Sequence, residues 1–393
     1  HCDILVRGEI EEIAAGLFDD LRSGHWKDEY LGTRPDLSLA PMPRWDLYPN
    51  RRAMIGSVQT SRGCPFECEF CDVPAFVGRN QRHKAPTQVL GELDVLYRLG
   101  YRSVFLADDN FTVYRRRAKE LLAALTWWNR QNRFGRMAFS TQVSLDAARD
   151  KELLCMCAEA GINTVFIGIE TPNQASLRET KKRQNLGSNL VEEIGRFLDH
   201  GILVIGGLIV GFDADGPEIF DLQREFTQAS QVPVFSLGAL VAPTATPLIA
   251  RLEKARRLIP MSVQSTATPW STNIVPKQMS REELLSGLRS LCRDMYSPAA
   301  FGERCVSALQ RFRAHAAPRQ PITAGAIELH RQLADETGQI IKNLYRSGAE
   351  EKSMVTRVTK YAFTHNPQAM TQVHTCMRLY AQIRSVYRET GMR

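Results

Sequence analysis

From residue 57 to about residue 241, short apolar runs alternate with longer stretches that have helical periodicity. The apolar runs are rich in Val, Ile and Phe, which is typical of buried strands. Six such repeats predict a parallel sheet with helices outside, which right-handed crossovers close partly into a barrel. We therefore expect an α/β fold, a partial (β/α)6 barrel of the TIM type. Strands are predicted at 57–60, 103–107, 137–142, 164–169, 203–210 and 234–240, and helices near 86–99, 115–131, 150–160, 187–200 and 217–230.

The regions on either side of these repeats have a different character. Residues 1–23 have a strand–turn–helix pattern and resemble the end of a preceding domain, so we expect the chain to be a fragment or a processed product. Residues 24–56 are rich in Pro, Asp and Arg and are predicted to be a linker. The barrel core is assigned to 57–247. Residues 248–393 are basic and poor in strand patterns, which predicts a helical C-terminal domain.

Composition narrows the class of protein. The 393 residues are 44% hydrophobic and 24% charged, the balance of a soluble globular protein, and no apolar run approaches a membrane span. The net charge of +7 permits an anionic partner, but the basic residues are scattered and nucleic acid is not expected. Short basic clusters at 115–117 and 181–183 are expected to be solvated. Nine cysteines at irregular spacing favour a reducing, cytoplasmic compartment.

Three of the cysteines form a separate motif. Cys64, Cys68 and Cys71 have the spacing C-x3-C-x2-C and directly follow the first predicted barrel strand. Functional sites of βα barrels lie at this end of the strands. A 4Fe–4S cube ordinarily uses four cysteines, so three from one loop would leave one iron open to a ligand. A zinc knuckle is the alternative, but zinc usually takes four ligands and no C-x-x-C or H-x3-H pair follows nearby.

The run Cys64-Pro65-Phe66-Glu67-Cys68-Glu69-Phe70-Cys71 resembles the cysteine motif of the radical S-adenosylmethionine (radical SAM) superfamily. The resemblance covers roughly residues 57–250. It implies that the three cysteines bind a 4Fe–4S cluster and that the open iron chelates S-adenosylmethionine. It also implies that one electron from a flavodoxin- or ferredoxin-type donor cleaves this cofactor to a 5′-deoxyadenosyl radical.

Further positions match less strict motifs of the same family. Phe70 corresponds to the aromatic residue whose backbone contacts adenine. Asp109, after the second strand, would bind the amino group of the methionine moiety or a polar group of the substrate. Ser140 and Gln142 end the third strand near the expected ribose or carboxylate, and Glu170 after the fourth would accept from the ribose hydroxyls. The alternatives are a core phenylalanine, a helix N-cap at the aspartate and an ordinary loop ion pair at the glutamate.

The fifth strand carries a glycine-rich segment. Gly207, Ile209 and Gly211 resemble the G-x-I-x-G segment of the family, where the backbone approaches adenine closely. A strand bulge is the alternative. Residues 242–248 resemble the family's Pro-Gly-Thr-x-Leu exit, with Ala245 in place of the usual glycine.

Within the superfamily, the resemblance is to the cobalamin-binding branch. It implies cobalamin-assisted methylation or rearrangement of a small molecule or lipid. The expected cobalamin domain would precede His1, and no histidine stands in a D-x-H-x-x-G motif. An RNA-modifying, methylthiotransferase-like enzyme is an alternative, although such enzymes normally carry a second cluster or an RNA-binding β-domain. A non-enzymatic iron–sulfur or zinc-binding protein is another.

Overall fold

The centre of the computed structural model is a sheet of six parallel strands, in the order Val234–Ala239, Leu203–Val210, Ile162–Glu170, Ala138–Val143, Ser103–Leu106 and Gly56–Val58. Sequential strands are neighbours, as in an open barrel, and the α/β fold predicted from the sequence is confirmed. The structure describes residues 2–50, 53, 55–132, 135–260, 268–313 and 336–389. The strands are β1 (Leu5–Arg7), β2 (Glu29–Leu31), β3 (Gly56–Val58), β4 (Ser61–Arg62), β5 (Arg82–His83), β6 (Ser103–Leu106), β7 (Ala138–Val143), β8 (Ile162–Glu170), β9 (Leu203–Val210) and β10 (Val234–Ala239).

Helices connect the parallel strands and continue beyond the sheet. The five longer helices between β3 and β10 match the helical stretches predicted from the sequence to within a few residues, whereas the short helices at Val73–Phe76 and Gln174–Glu179 were not predicted. The helices are α1 (Ala14–Ser23), α2 (Val73–Phe76), α3 (Pro86–Arg98), α4 (Arg115–Gln131), α5 (Lys151–Ala160), α6 (Gln174–Glu179), α7 (Leu190–Asp199), α8 (Ile219–Ala229), α9 (Pro247–Lys254), α10 (Arg281–Met295), α11 (Pro298–Arg311), α12 (Ala349–His365) and α13 (Met370–Glu389).

The two faces of the sheet have different environments. On β7, Phe139 and Val143 point to the helices and are buried, whereas Ser140 and Gln142 point to the other face and are partly exposed. The helices bury apolar side chains against the first face, so the main core lies between sheet and helices. The opposite, inner face carries the polar side chains of Ser140 and Gln142.

The N-terminal region forms a small βαβ unit. Strands β1 and β2 pair in parallel, from Leu5↔Glu29 to Arg7↔Leu31, and α1 connects them. The sequence predicted a linker from residue 24 onward, but β2 lies inside that stretch. The βαβ unit therefore extends past residue 23, because three residues of β2 contribute too short a pattern to be recognised as a strand.

The described part of the C-terminal region is helical and covers the edge strand of the sheet. The hydroxyl of Tyr296, at the end of α10, donates to the carbonyl of Phe235 on β10 and accepts from its N–H at 2.8 Å. The guanidinium of Arg304 on α11 donates to the Pro233 carbonyl at 3.3 Å. These contacts satisfy backbone groups at an edge that would otherwise be open to pairing. Within the described residues, no helix combines the length and apolarity needed to cross a bilayer.

Replacing Tyr296 with Phe tests how far this edge depends on the helical region. The ring would still pack, but the buried N–H and C=O of Phe235 would lose their shared partner. We expect the free energy of unfolding to fall by about 1–3 kcal/mol. Urea denaturation followed by circular dichroism measures it. Tyr345→Phe, at an exposed ring, is the control and should change little; an equal loss in both variants would contradict the assigned role.

Candidate functional site

The three-cysteine loop is closed at its base by a short hairpin. Strands β4 and β5 pair antiparallel on either side of the cysteines, and the Cys64 N–H donates to the Gly78 carbonyl at 3.2 Å. Gly63 has a φ of 105°, and a Cβ there would lie 2.6 Å from the Asn80 carbonyl oxygen. Only glycine fits this turn. The loop thus leaves the sheet at a fixed point, at the carboxyl end of β3.

Two carboxylates from the loop after β6 hold the start of the cysteine loop. Asp108 is fully buried and accepts from the N–H groups of Thr60 and Ser61, both at 2.7 Å, and from the Thr60 hydroxyl. Asp109 accepts from the Gly63 N–H at 2.8 Å. The structure therefore shows Asp109 in contact with the cysteine loop through one oxygen. Its predicted contact with the amino group of a cofactor stays a prediction.

The thiols lie in a partly buried environment. Cys68 is buried, Cys64 and Cys71 are half-buried, and the Cys71 N–H donates to the Cys68 carbonyl at 3.1 Å. Burial raises the pKa of the Cys64 thiol and raises that of Cys71 to about 11. Metal binding requires thiolates, so the loop gains from a nearby cation.

Lys182 supplies such a cation, and the sequence did not single it out. Its ammonium lies 2.6 Å from Glu170 Oε1 and 5.9 Å from the centre of the Phe70 ring. Burial disfavours its charge, but attraction to Glu170, Cys68 and Cys71 outweighs this and raises the Lys182 pKa to about 12. The cluster at 181–183 was expected to be solvated; Lys181 and Arg183 are exposed, but the Lys182 side chain is only 12% exposed.

Glu170 is held in an uncommon backbone conformation at a bulge of β8. Its φ is 67°, a region that non-glycine residues rarely occupy. Its carboxylate folds back over Gly168, where a Cβ would lie 2.3 Å from Oε1. The structure thus shows the ion pair with Lys182, the alternative interpretation of Glu170; a contact with ribose stays a prediction.

The polar residues of β7 and the glycine strand line the inner face together. Ser140 and Gln142 share that face, and the Gln142 amide donates to the Asp108 carbonyl at 3.4 Å. Gly207 pairs with Gly168 on the neighbouring strand. A Cβ at Gly207 would lie 2.8 Å from the Phe166 ring, so this glycine makes room for an aromatic side chain inside the sheet.

The end of β9 meets the cysteine loop through apolar contacts. Phe70 lies 5.8 Å from Phe212, ring centre to ring centre. Phe212 belongs to a second cluster of buried apolar residues, and Phe70 and Ile209 both pack against this cluster. Gly211 has a φ of 107°, and a Cβ there would lie 2.9 Å from Leu284. The structure therefore brings Phe70 and Ile209, which are far apart in sequence, into one cluster.

The cysteine chemistry fits an iron–sulfur cluster. Cysteine thiolates are the usual ligands of such clusters. Among the described residues, no group of three or more His, Cys, Asp and Glu side chains is arranged to hold a metal ion. A cube is bound at separate corners, so its ligands need not converge on one point as those of a single ion do.

Residues 58–222 match the family model of the radical SAM superfamily, and this stretch contains the cysteine loop and strands β6 to β9. The chain therefore contains a radical SAM domain. The family predicted from the cysteine motif is therefore confirmed, and radical SAM domains use a 4Fe–4S cluster and S-adenosylmethionine. Residues 246–390 match a domain of unknown function (DUF4070).

Curated relatives of this radical SAM chain include methylases. It is 36% identical over 272 residues to an uncharacterized methyltransferase of Synechocystis sp., covering 69% of this chain and 50% of that protein. It is 37% identical over 227 residues to the hopanoid C-2 methylase of Rhodopseudomonas palustris, covering 58% and 43%. The chain thus spans about half the length of these curated relatives.

Among solved structures, the fold resembles that of the cobalamin-dependent S-adenosylmethionine radical enzyme OxsB. The TM-score is 0.56 at 14% identity, and the match covers 98% of this chain and 63% of that one. At this identity the likeness concerns the fold.

The ionisation of Asp108 gives the radical SAM loop a testable pH dependence. Burial raises the Asp108 pKa to about 6, against the hydrogen bonds that favour its carboxylate. A carboxyl group whose pKa is higher in the folded protein than in the unfolded one stabilises the fold at pH values below the pKa of the unfolded protein. This stabilisation is lost as the pH rises through the pKa of the folded protein. When the pH is lowered from about 7.5 to about 5, the free energy of unfolding of the wild type should therefore rise by about 1–2 kcal/mol relative to that of Asp108→Asn.

Urea denaturation of both proteins at the two pH values measures this difference. Asparagine keeps the shape and can still accept from the Thr60 and Ser61 N–H groups. Asp294→Asn, at an exposed ion pair with Arg224, is the control. If wild type and Asp108→Asn gained equally on acidification, Asp108 would not be the group that titrates.

Proposed function

We propose that the chain holds a 4Fe–4S cluster through Cys64, Cys68 and Cys71 and reductively cleaves S-adenosylmethionine there, most directly for cobalamin-assisted methylation of a small molecule or lipid. The observation that carries the proposal is the loop itself. The loop carries three thiols in one turn, which a hairpin closes and fixes at the carboxyl end of a parallel sheet. Bound to these three thiols, a 4Fe–4S cube would have one iron without a ligand from the loop.

The surrounding residues suit this chemistry. When bound, the cluster supplies the electron that cleaves the sulfonium of S-adenosylmethionine. Lys182 places a positive charge near the cysteine loop, where it favours the thiolate of Cys64 against the effect of burial. Asp108 and Asp109 orient the loop through its backbone. Ser140 and Gln142 offer polar groups on the inner face, where a nucleoside would need hydrogen-bond partners.

Phe70, Ile209 and the glycines of β9 are proposed to receive the adenine. The apolar cluster around Phe70 offers an apolar surface against which the adenine ring would pack. Glu170, beside Lys182, is proposed to accept from the ribose hydroxyls, because its carboxylate has a second oxygen beyond the one paired with the ammonium. Substrate would then enter from the open side of the inner face.

The reaction type is inferred from the relatives. One is named a hopanoid C-2 methylase and another an uncharacterized methyltransferase, which favours methyl transfer to an unactivated carbon of a lipid or similar small molecule. We propose a flavodoxin- or ferredoxin-type electron donor, and the nine free thiols favour a reducing, cytoplasmic compartment.

Anaerobic reconstitution with iron and sulfide tests the cluster. The wild type should turn brown and convert S-adenosylmethionine to 5′-deoxyadenosine when reduced by dithionite. Cys64→Ala, Cys68→Ala and Cys71→Ala should each lose both properties, by more than the roughly 10- to 100-fold typical of a change outside the ligand shell. Iron analysis and electron paramagnetic resonance measure the cluster, and chromatography measures the 5′-deoxyadenosine formed.

Cys157→Ala is the matched control, because this thiol is buried on α5 and burial raises its pKa to about 12. It should keep iron and cleavage. A colourless wild type holding stoichiometric zinc after the same treatment would refute the proposal.

A further inference from the structure

Glu69, the residue that follows the second cysteine of the loop, contacts the C-terminal region through its backbone and its side chain. Glu69 is 7% exposed. Its N–H donates to the Thr180 carbonyl at 3.0 Å, and its carbonyl accepts from the Leu248 N–H at 3.1 Å. Leu248 lies in the first turn of α9. The backbone beside Cys68 is therefore held from two sides, one of them outside the stretch that matches the radical SAM family.

The Glu69 side chain makes a two-pronged ion pair with the same helix. Arg251 on α9 donates from Nε and from one terminal nitrogen to the two Glu69 oxygens, at 2.7 and 3.0 Å. A guanidinium and a carboxylate joined by two parallel bonds fix each other's orientation. Since Glu69 adjoins both Cys68 and Phe70, this orientation constrains the cysteine and the aromatic residue together.

The other terminal nitrogen of Arg251 extends the contact to the end of β9. It lies 2.5 Å from Asp213, whose second oxygen lies 2.7 Å from Arg257. Two carboxylates and two guanidiniums thus alternate across the cysteine loop, β9 and the C-terminal region. The attraction lowers the Asp213 pKa even though burial opposes it.

Apolar contacts follow the same route. Leu248 and Leu252, on α9, are buried in the second apolar cluster, against which Phe70 packs. The helix begins with a good capping arrangement, since Thr246 accepts from the Ile249 N–H and Pro247 occupies the first helical position. A rigid helix end therefore presents both Leu248 and Arg251 to the loop.

We propose that α9 is a clamp on the cofactor site: Arg251 is a positioning residue that, through Glu69, sets the orientation of Cys68 and Phe70. Resting on the proposed function, this gives the beginning of the region that matches a domain of unknown function a role in radical SAM chemistry. Loss of the clamp should loosen the loop without removing any cluster ligand.

The test compares Arg251→Met with Arg311→Met. Arg311 also makes a two-pronged ion pair from the C-terminal region, to Asp199 at 2.9 and 2.8 Å, but away from the cysteines. In the cofactor-free protein, the Glu69 and Leu248 amides of Arg251→Met should exchange with deuterium at least about tenfold faster than in wild type. Arg311→Met should leave those amides unchanged.

After reconstitution, Arg251→Met should keep most of its iron but bind S-adenosylmethionine roughly 10- to 100-fold more weakly, as for other changes outside a ligand shell. The spectral change of the reduced cluster on adding S-adenosylmethionine reports this binding. Arg251→Lys, which keeps the charge without the two-pronged geometry, should be intermediate.

If Arg251→Met did not fold, Glu69→Gln would serve, because it avoids leaving a buried unpaired carboxylate and should show the same faster exchange. If the Glu69 and Leu248 amides of either variant exchange with deuterium at the wild-type rate, the clamp is refuted. This holds even if the cysteine variants lose iron as proposed. A wild type that binds no iron overturns the proposed function instead, and the exchange experiment on cofactor-free protein still decides the clamp.

Discussion

The cysteine loop depends on one buried carboxylate. Asp108, fully buried at the end of β6, accepts three hydrogen bonds from Thr60 and Ser61 and so fixes the chain where it leaves β3. Desolvation opposes its charge, and the hydrogen bonds offset part of that cost. The neighbouring strand therefore determines where the loop begins. A barrel strand here acts as a support for the strand beside it.

Local backbone and packing costs concentrate around this loop. Gly63 and Gly168 stand where any side chain would collide with a carbonyl or a carboxylate, and Glu170 adopts a left-handed conformation. Such conformations persist where surrounding contacts enforce them. Here the enforcing contacts are the β4–β5 hairpin and the Glu170–Lys182 ion pair. Both lie at the carboxyl edge of the sheet.

The sequence was sufficient to predict the strands of the six-stranded sheet, because burial on one or both faces leaves a strong apolar pattern. The predicted strand 203–210 has the same bounds as β9. It was insufficient for β2, three residues long with mostly exposed side chains. Lys182 was not predicted as a site residue, because its position depends on how the chain returns to Glu170. A run of basic residues ordinarily indicates a solvated surface. The Glu69–Arg251 pair joins positions 182 residues apart, and no local pattern indicates such a contact.

The loop is held at both ends by regions outside the stretch that matches the radical SAM family. At its start, Arg62 pairs with Glu9 and Glu11 of the N-terminal region; in its second half, Glu69 pairs with Arg251. A loop fixed only by the sheet could rotate about its point of exit. The two charge pairs restrict that freedom, because each holds a different part of the loop. The positions of Cys64, Cys68 and Cys71 therefore depend on the described parts of the flanking regions as well as on the barrel.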